Sequence, residues 1–362
     1  MATLSKEEKL ARLRLCRSEN IGATTFWSLI DKYGSASVAL DVLTKSGKVQ
    51  IYKQSDLNEE IENMTKIGGR FVFLEDPLYP PLLRNVPDPP PVLSFLGNKN
   101  KALTLYHKNI ISIVGARNAS IHSCKFCEIL AKDLSEQDVV IVSGLARGID
   151  TAAHKASLHT GTFAVIACGI NIPYPKENEA LYNSIIENGG IFSEMPFNTP
   201  PQPKLFPRRN RLIAGMTSGT VVVEAAEKSG SLITAQMALE YGRDVFAVPG
   251  SPIDPRSAGG NALLKAGAIL VQSAQDIIDH FNEQVEIPKQ QKLSLSKNTQ
   301  ENIDEIKEKI INSLSIVPIT IDELISSIKV SPKGVLSALL ELELANKVTR
   351  LNGQRVCLTL ES

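Results

Sequence analysis

The sequence lacks any long apolar segment and any excess of charge of one sign. No apolar run approaches the roughly 18 residues that a membrane-spanning helix needs. The first residues, MATLSKEEKL, are polar and charged, without the apolar core of a signal peptide. The 39 acidic residues equal the 39 basic ones, so overall charge cannot attract a polyanion. We therefore expect a soluble cytoplasmic protein with no membrane partner, in which any nucleic-acid binding depends on a local basic patch.

Residues that form disulfides or bind metals are also few. The five cysteines are odd in number and scattered, and the Cys124–Cys127 pair lacks a second pair, so we interpret them as buried structural thiols. Among the five histidines only His154 and His159 lie near each other, and their separation of five residues fits a helical metal pair poorly. We expect His154 to make a polar contact at a helix start. The sequence thus predicts neither a metal site nor a cofactor.

Motifs of several enzyme classes are missing. There is no G-x-x-x-x-G-K-[ST] loop, no strand-positioned G-x-G-x-x-G, no G-x-S-x-G elbow and no H-E-x-x-H. One enzymatic alternative remains open, because residues 218–224 (SGTVVVE) carry the G-T-x-x-x-E end of a motif seen in nucleotide phosphoribohydrolases of the Lonely Guy type. Residues 216–218 (MTS) replace the P-G-G of those enzymes, so the phosphate-holding turn is incomplete. Glu224 is a catalytic acid only in that alternative.

The central part of the chain alternates between short apolar runs and helical stretches. The runs of strand length are 110–114, 139–142, 163–167, 191–193, 221–223, 245–248 and 268–271, with two more predicted strands at 71–74 and 92–96. Runs that are apolar throughout and separated by helices indicate a parallel sheet covered on both faces. The sequence therefore predicts an α/β, Rossmann-like, mostly parallel sheet.

The pattern divides the chain into four parts. We predict a helical domain over 1–66, an extended Rossmann-like domain over 67–283, a polar linker over 284–302 and a winged-helix domain over 303–362. The first part has a glycine-containing turn between two short amphipathic helices. This arrangement resembles a SAM or helix-hairpin-helix domain, in which the turn can present N–H groups to a phosphate. A simple helical packing domain is equally consistent with it.

The last part shows three amphipathic helices followed by a hairpin that turns at Asn352-Gly353. Three helices and a hairpin are typical of a winged helix, a fold that usually binds duplex DNA. The third helix offers only Lys333 before Glu341 and Glu343, so its face for reading a DNA groove is poor. Protein contact and weak DNA contact both remain open for this domain.

Glycines and arginines follow the predicted strands, at the edge where doubly wound folds bind ligands. Gly115-Ala116-Arg117 follows the first parallel strand, and residues 143–150 (SGLARGID) follow the second. Glycines let a ligand approach closely, and the helices that follow direct their N-terminal N–H groups toward it. Arg117 and Arg147 add positive charge to the same rim.

The most informative stretch is 206–215 (FPRRNRLIAG), which follows Lys204. It holds three arginines, and no acidic residue occurs from 195 to 223 to neutralise them. Arginine matches phosphate oxygens in a bidentate fashion, and an exposed Phe206 offers a face on which a base can stack. We interpret this stretch as an unpaired basic strip for a single-stranded nucleic acid. A solvated basic helix start is the alternative.

Residues 108–273 resemble the DNA-processing protein A family, DprA or Smf. The matching stretches occur in the family's order at 113–117, 142–154, 206–215, 223–225 with 229–235, and 248–251 with 259–261. Ala116 replaces the serine that is common in the first motif, and His122-Ser123 replaces a frequent Tyr-Gly. The resemblance implies a homodimer that binds and protects single-stranded DNA and helps to load the RecA recombinase during natural transformation, without catalytic turnover. Candidate dimer surfaces lie at 233–239 and 263–269, which are equally plausible as core.

The resemblance also implies the residues that contact DNA, with low sequence preference and strong salt dependence. The expected contacts are Gly115, Ala116, Arg117, Ser143, Gly144, Arg147 and Gly148 in the groove, and Lys204, Phe206, Arg208, Arg209, Asn210 and Arg211 along the strip. Asp150 and Glu224 are expected to orient arginines or cap helices, because carboxylates in a DNA groove repel the ligand.

Overall fold

The computed structural model describes residues 4–106, 108–285, 303–328, 330–351 and 355–359. The chain divides into two units, Met1–Val285 and Glu286–Ser362. Most of the predicted linker, residues 286–302, lies outside the described residues.

The first unit begins with four helices: α1 (Lys6–Arg17), α2 (Ala23–Tyr33), α3 (Ala36–Ser46) and α4 (Gln54–Lys66). Ser5 and Ser35 cap α1 and α3, each accepting an N–H of the first turn through its hydroxyl oxygen. Gly34 has a φ of 80° and ends α2 in the left-handed conformation that glycine adopts without strain. The amphipathic pattern of this part therefore gives the predicted helical domain.

A larger α/β region follows. Its elements are β1 (Arg70–Phe73), β2 (Val92–Gly97), α5 (Lys99–Leu103), β3 (Ile110–Val114), α6 (Ile121–Glu136), β4 (Val140–Ser143), α7 (Ile149–Ser157), β5 (Thr162–Ile166), α8 (Glu179–Asn188), β6 (Gly190–Ser193), α9 (Leu205–Gly215), β7 (Gly219–Val222), α10 (Gly230–Glu240), β8 (Asp244–Ala247), α11 (Ala258–Lys265), β9 (Ile269–Leu270) and α12 (Ala274–Val285). Each predicted strand is present within two residues of its expected bounds.

The nine strands form one sheet in the order β1-β2-β6-β5-β4-β3-β7-β8-β9. The β1–β2 and β2–β6 pairs are antiparallel, and all other pairs are parallel. This sheet confirms the predicted Rossmann-like fold class. The strand order reverses at β3, which lies between β4 and β7. In such sheets the ligand crevice lies outside the carboxyl ends of the strands at this reversal.

Successive side chains of the central strands enter different cores. Ile110 and Val114 of β3 pack with α9 and α10 on one face, whereas Ile111 and Ile113 pack with α6, α7 and α12 on the other. The buried, free thiol of Cys127 belongs to the second core, and burial raises its pKa. Both faces are covered, which explains why the strands read as continuous apolar runs.

The second unit contains α13 (Ile303–Ser313), β10 (Ile319–Thr320), α14 (Ile321–Ile328), α15 (Pro332–Leu344), β11 (Val348–Leu351) and β12 (Arg355–Leu358). The strands form a three-stranded antiparallel sheet in the order β10-β12-β11. Three helices and this hairpin confirm the predicted winged helix. The two-residue strand β10 was not predicted from the sequence, and the Asn352-Gly353 turn lies outside the described residues. No described helix is both long and apolar enough to cross a membrane.

Candidate functional site

The loop between β3 and α6, which carries Arg117, is held in place by Glu224. The buried Glu224 carboxylate accepts hydrogen bonds from the backbone N–H of Ser120 and from the hydroxyls of Ser120 and Ser123, at 3.1, 2.8 and 2.7 Å. The backbone N–H of Ala116 donates to the Glu224 carbonyl oxygen at 2.7 Å, so it is not free for a phosphate. Glu224 therefore positions the start of α6.

The loop between β4 and α7 is positioned by Asp150. Its carboxylate accepts the backbone N–H groups of Gly144 and Ala146, at 3.1 and 3.2 Å, and burial raises its pKa. Gly148 has a φ of 72°, and a Cβ at this position would lie 2.3 Å from the Ala116 carbonyl oxygen. Only glycine therefore lets the two loops pack against each other. Arg147 lies on the surface and forms an ion pair with the exposed Glu177.

Three side chains that were predicted from the sequence to contact DNA are buried instead. The Arg209 side chain is only 6% exposed, and its Nη1 donates to the Val165 carbonyl oxygen at 3.2 Å. Asn210 is also buried and donates from Nδ2 to the Gly230 carbonyl oxygen. The Ser143 hydroxyl donates to the Ile113 carbonyl oxygen at 2.6 Å. The helical period of α9 turns residues 209 and 210 toward the sheet, so they form no exposed strip.

Arg211 is largely buried and pairs with a carboxylate. Its Nη2 lies 2.5 Å from a Glu194 carboxylate oxygen, and its Nη1 donates to the Asp88 carbonyl oxygen at 2.9 Å. Its side chain is 13% exposed. The prediction that the basic segment has no acidic partner is therefore wrong for Arg211, because Glu194 and Asp88 come from outside the acid-free stretch.

Arg117 and Arg147 meet Phe206 and Tyr174 around the Arg117–Phe206 contact. The Arg117 guanidinium carbon lies 4.8 Å from the centroid of the Phe206 ring, and that ring lies 5.8 Å from the ring of Tyr174. Arg117 is exposed, and in the described part of the chain it pairs with no carboxylate. Lys204 and Arg208 are exposed at the start of α9. Arg208 lines a different cavity, together with Arg211 and Glu194. We use the name rim for Arg117, Arg147, Tyr174 and Phe206.

A cavity of about 240 Å³ opens between Arg117, Arg147, Tyr174 and Phe206, with Gly144 and Arg209 at its base. Its walls combine aromatic rings with guanidinium groups, the combination that binds an unpaired base and its phosphate. Tyr174 was not among the residues predicted from the sequence, because it carries no charge and lies well beyond the end of β5. Its place between two prolines in a loop after a parallel strand was the available signal.

The polar contact of His154 is with β5 and not at the start of α7, where it was expected. The buried His154 Nδ1 lies 2.9 Å from the Thr162 hydroxyl oxygen, and burial lowers its pKa to about 3. Over the described residues, no group of three or more histidine, cysteine or acidic side chains could hold a metal ion.

Three family descriptions match this chain. Residues 70–282 match DNA recombination-mediator protein A, residues 6–62 match the DprA-like N-terminal HHH domain, and residues 296–354 match the DprA winged helix domain. The chain is 31% identical over 336 residues to the protein Smf of Synechocystis sp., covering 84% of each. It is 44% identical over 213 residues to the DNA processing protein DprA of Streptococcus pneumoniae, covering 58% of this chain and 73% of that one.

Two solved structures are similar as well. The structure of DprA from Streptococcus pneumoniae has a TM-score of 0.64 and 30% identity, covering 77% of this chain and 98% of that one. The structure of DNA processing protein A from Helicobacter pylori, a protein with a single-stranded DNA binding mode, has a TM-score of 0.54 and 29% identity, covering 59% and 97%.

Proposed function

Because the chain belongs to the DNA recombination-mediator protein A family, we propose that it binds single-stranded DNA at the rim. The named activity of the Helicobacter pylori relative supports this proposal. The rim lies at the carboxyl ends of parallel strands, where doubly wound folds bind their ligands. It has the chemistry that a single strand needs, with exposed cations next to aromatic rings.

The observation that carries the proposal is the contact between Arg117 and Phe206. The guanidinium lies over the ring at 4.8 Å, so an aromatic ring and an unneutralised cation are held in contact. A base stacks on Phe206 or Tyr174 while Arg117 binds the adjoining phosphate. Stacking accepts every base, and phosphate contacts carry no sequence information. Binding is therefore independent of sequence.

The exposed charges of the rim and of the start of α9 set the salt dependence. Arg117, Lys204 and Arg208 are exposed, and Arg147 can exchange its exposed partner Glu177 for a phosphate. Single strands release about 0.7 counterions per neutralised phosphate, so four contacts give a logarithmic salt slope of roughly −3. Glu224 and Asp150 stay outside these contacts as residues that position the two loops.

We further propose that the protein acts as a homodimer that protects incoming strands and helps to load the RecA recombinase. Membership of a recombination-mediator family supports this role. Ile233 and Leu239 are exposed on α10 and are candidates for the dimer surface. We propose no catalytic turnover. In the phosphoribohydrolase alternative Glu224 would serve as an acid, whereas its carboxylate is buried and accepts three hydrogen bonds.

Fluorescence anisotropy with labelled oligo-dT and a matching duplex, at two salt concentrations, tests the proposal, with the molecular mass measured in parallel by size exclusion. We expect preferential binding of the single strand and marked weakening at high salt. Equal affinity for the duplex, or binding insensitive to salt, would contradict it. Free base released from nucleoside monophosphates at enzyme-like rates would favour the alternative.

A further inference from the structure

A second cavity, of about 260 Å³, lies on the α10 side of the Arg117–Phe206 contact. It occupies the crevice where the strand order reverses, between the loops after β3 and β7. Its walls include Gly115, Arg117, Asp150, Arg209, Asn210 and Gly230. Arg117 and Phe206 line both cavities, but the other walls of this one take no part in the proposed binding at the rim.

A buried cation without full compensation, Arg209, lies between this cavity and the first one and lines both. The Arg209 side chain is 6% exposed, its Nη1 makes its one hydrogen bond, and its Nε is buried without an acceptor among the described residues. Asp150 is the acidic residue of the cavity wall, and its carboxylate already accepts two backbone N–H groups. Burial lowers the pKa of Arg209, although the charge of Asp150 partly opposes this. A buried charge of this kind is stabilised by an anion.

The N-terminus of α10 adds positive electrostatic potential to the same cavity. This helix of 11 residues begins at the cavity wall, and no acidic residue occupies its first turn to offset the positive end of its dipole. The Asn210 amide fixes it in place by donating to the Gly230 carbonyl oxygen at 3.2 Å. Ser229, Ser231 and Thr234 also line the wall, and the hydroxyl oxygens of the two serines lie 2.7 Å apart. Guanidinium, helix N-terminus and hydroxyls are together a phosphate-binding set.

We propose that this cavity binds the phosphomonoester group of a nucleotide, either the terminal phosphate of a DNA strand or that of a free nucleoside monophosphate. Its volume is below the roughly 300 Å³ at which pockets for whole drug-sized ligands begin, so it takes a phosphoryl group with part of its sugar. A monoester carries more negative charge than a diester within the strand and has a free end. This inference rests on the proposed function, because the nucleotide reaches the cavity over the rim.

Gly230 can be substituted without disturbing the fold, which allows a test of the proposal. A Cβ at this position meets no atom within 4 Å, and the residue is exposed at the first position of α10. Gly230→Asp places a carboxylate at the mouth of the cavity, where the helix dipole favours it but a phosphate is repelled. Gly230→Asn is the matched control with nearly the same shape and no charge. Neither change removes a residue of the rim.

The experiment measures anisotropy of oligo-dT carrying a 5′-phosphate, a 3′-phosphate or hydroxyls at both ends, at one ionic strength. We expect one phosphorylated end to bind about tenfold more tightly than the hydroxyl form, because the added contacts are charge-assisted hydrogen bonds. Thermal denaturation with dTMP against thymidine tests the free nucleotide. Gly230→Asp should abolish either preference and Gly230→Asn should keep it.

The results separate the two proposals. A preference confined to the oligonucleotides identifies the strand end, and a stabilisation by dTMP alone identifies the free nucleotide. Equal affinity of all three oligonucleotides together with equal melting temperatures overturns the inference, as does a preference that survives Gly230→Asp. Binding of a circular single strand, which has no ends, reports on the rim alone. If the protein does not bind the circular strand, the proposed function itself is refuted.

Discussion

Arg17 and Glu60 form a buried ion pair between α1 and α4, with Nη2 3.0 Å from Oε1 and both side chains 3% exposed. The same two residues reach the loop that precedes α9. Arg17 Nη1 donates to the Glu194 carbonyl oxygen at 3.0 Å, and Glu60 Oε1 accepts the backbone N–H of Phe197 at 3.1 Å. The pair therefore fastens the N-terminal helices to the segment that leads into the rim.

Breaking this pair should destabilise the fold. In Glu60→Gln the buried guanidinium of Arg17 loses its counter-charge, and we expect a loss of about 3–5 kcal/mol in the free energy of unfolding. Urea denaturation followed by circular dichroism measures it. Glu62→Gln breaks the exposed pair with Lys66 and is the control, with an expected change below about 0.5 kcal/mol. Equal effects of the two variants would show that burial of the pair is unimportant.

We expect Arg117 to contact DNA and Arg211 to stabilise the fold. Arg117→Ala should weaken single-strand binding and reduce the salt slope by about 0.7 to 1, because one phosphate contact is lost. Arg211→Ala should leave the slope unchanged and lower stability, because it leaves Glu194 buried without its partner. Salt titrations and urea denaturation of both variants test this. A flatter salt slope for Arg211→Ala would show that Arg211 contacts DNA.

Phe206 should contribute by stacking. Phe206→Ala should weaken binding of oligo-dT by about 1–3 kcal/mol with an unchanged salt slope, because the lost interaction is not ionic. Phe206→Tyr keeps an aromatic face and is the control. Phe206→Leu keeps apolar area without the ring. If the leucine variant binds as tightly as the wild type, the ring acts through packing and not through stacking.

Gly144 should not tolerate a methyl group. A Cβ there would lie 1.4 Å from Arg209 Nη1, so Gly144→Ala must displace the buried guanidinium. We expect reduced stability and, if the second cavity binds a phosphate, loss of the preference for a phosphorylated end. Gly230→Ala enters open space and is the control. Denaturation midpoints of the two variants, measured side by side, give the comparison.

His154 should make stability fall in mild acid. Its folded pKa of about 3 lies below the roughly 6.5 of an unfolded histidine, so the unfolded chain binds the extra proton between these values. Stability is complete above about pH 6.5 and decreases by up to about 1.4 kcal/mol per pH unit below it. Denaturation as a function of pH measures this dependence.

His154→Gln should flatten this dependence, and the exposed His159→Gln should retain it. The comparison with wild type also separates His154 from Asp150, whose raised pKa acts in the opposite direction. An unchanged pH profile in His154→Gln would contradict the assignment.

The sequence predicted the sheet because its strands are buried on both faces and therefore read as apolar throughout. It also predicted the glycine turns, since Gly148 needs its left-handed conformation locally. It could not predict the orientation of the basic segment. Which guanidinium meets a carboxylate depends on Asp88, Asp150 and Glu194, which reach α9 only through the tertiary fold. Tyr174 was missed for the same reason, because its partner Phe206 is distant along the chain.

The α9 helix presents neighbouring arginines in three directions. Arg208 faces solvent, Arg209 enters the space above Gly144, and Arg211 is tied to Glu194 and Asp88. The helix therefore cannot roll about its axis without breaking at least one of these attachments. Counting positive charges in the motif overstates how many phosphates it can neutralise, because two of its three arginines fix the orientation in which Phe206 meets the ligand.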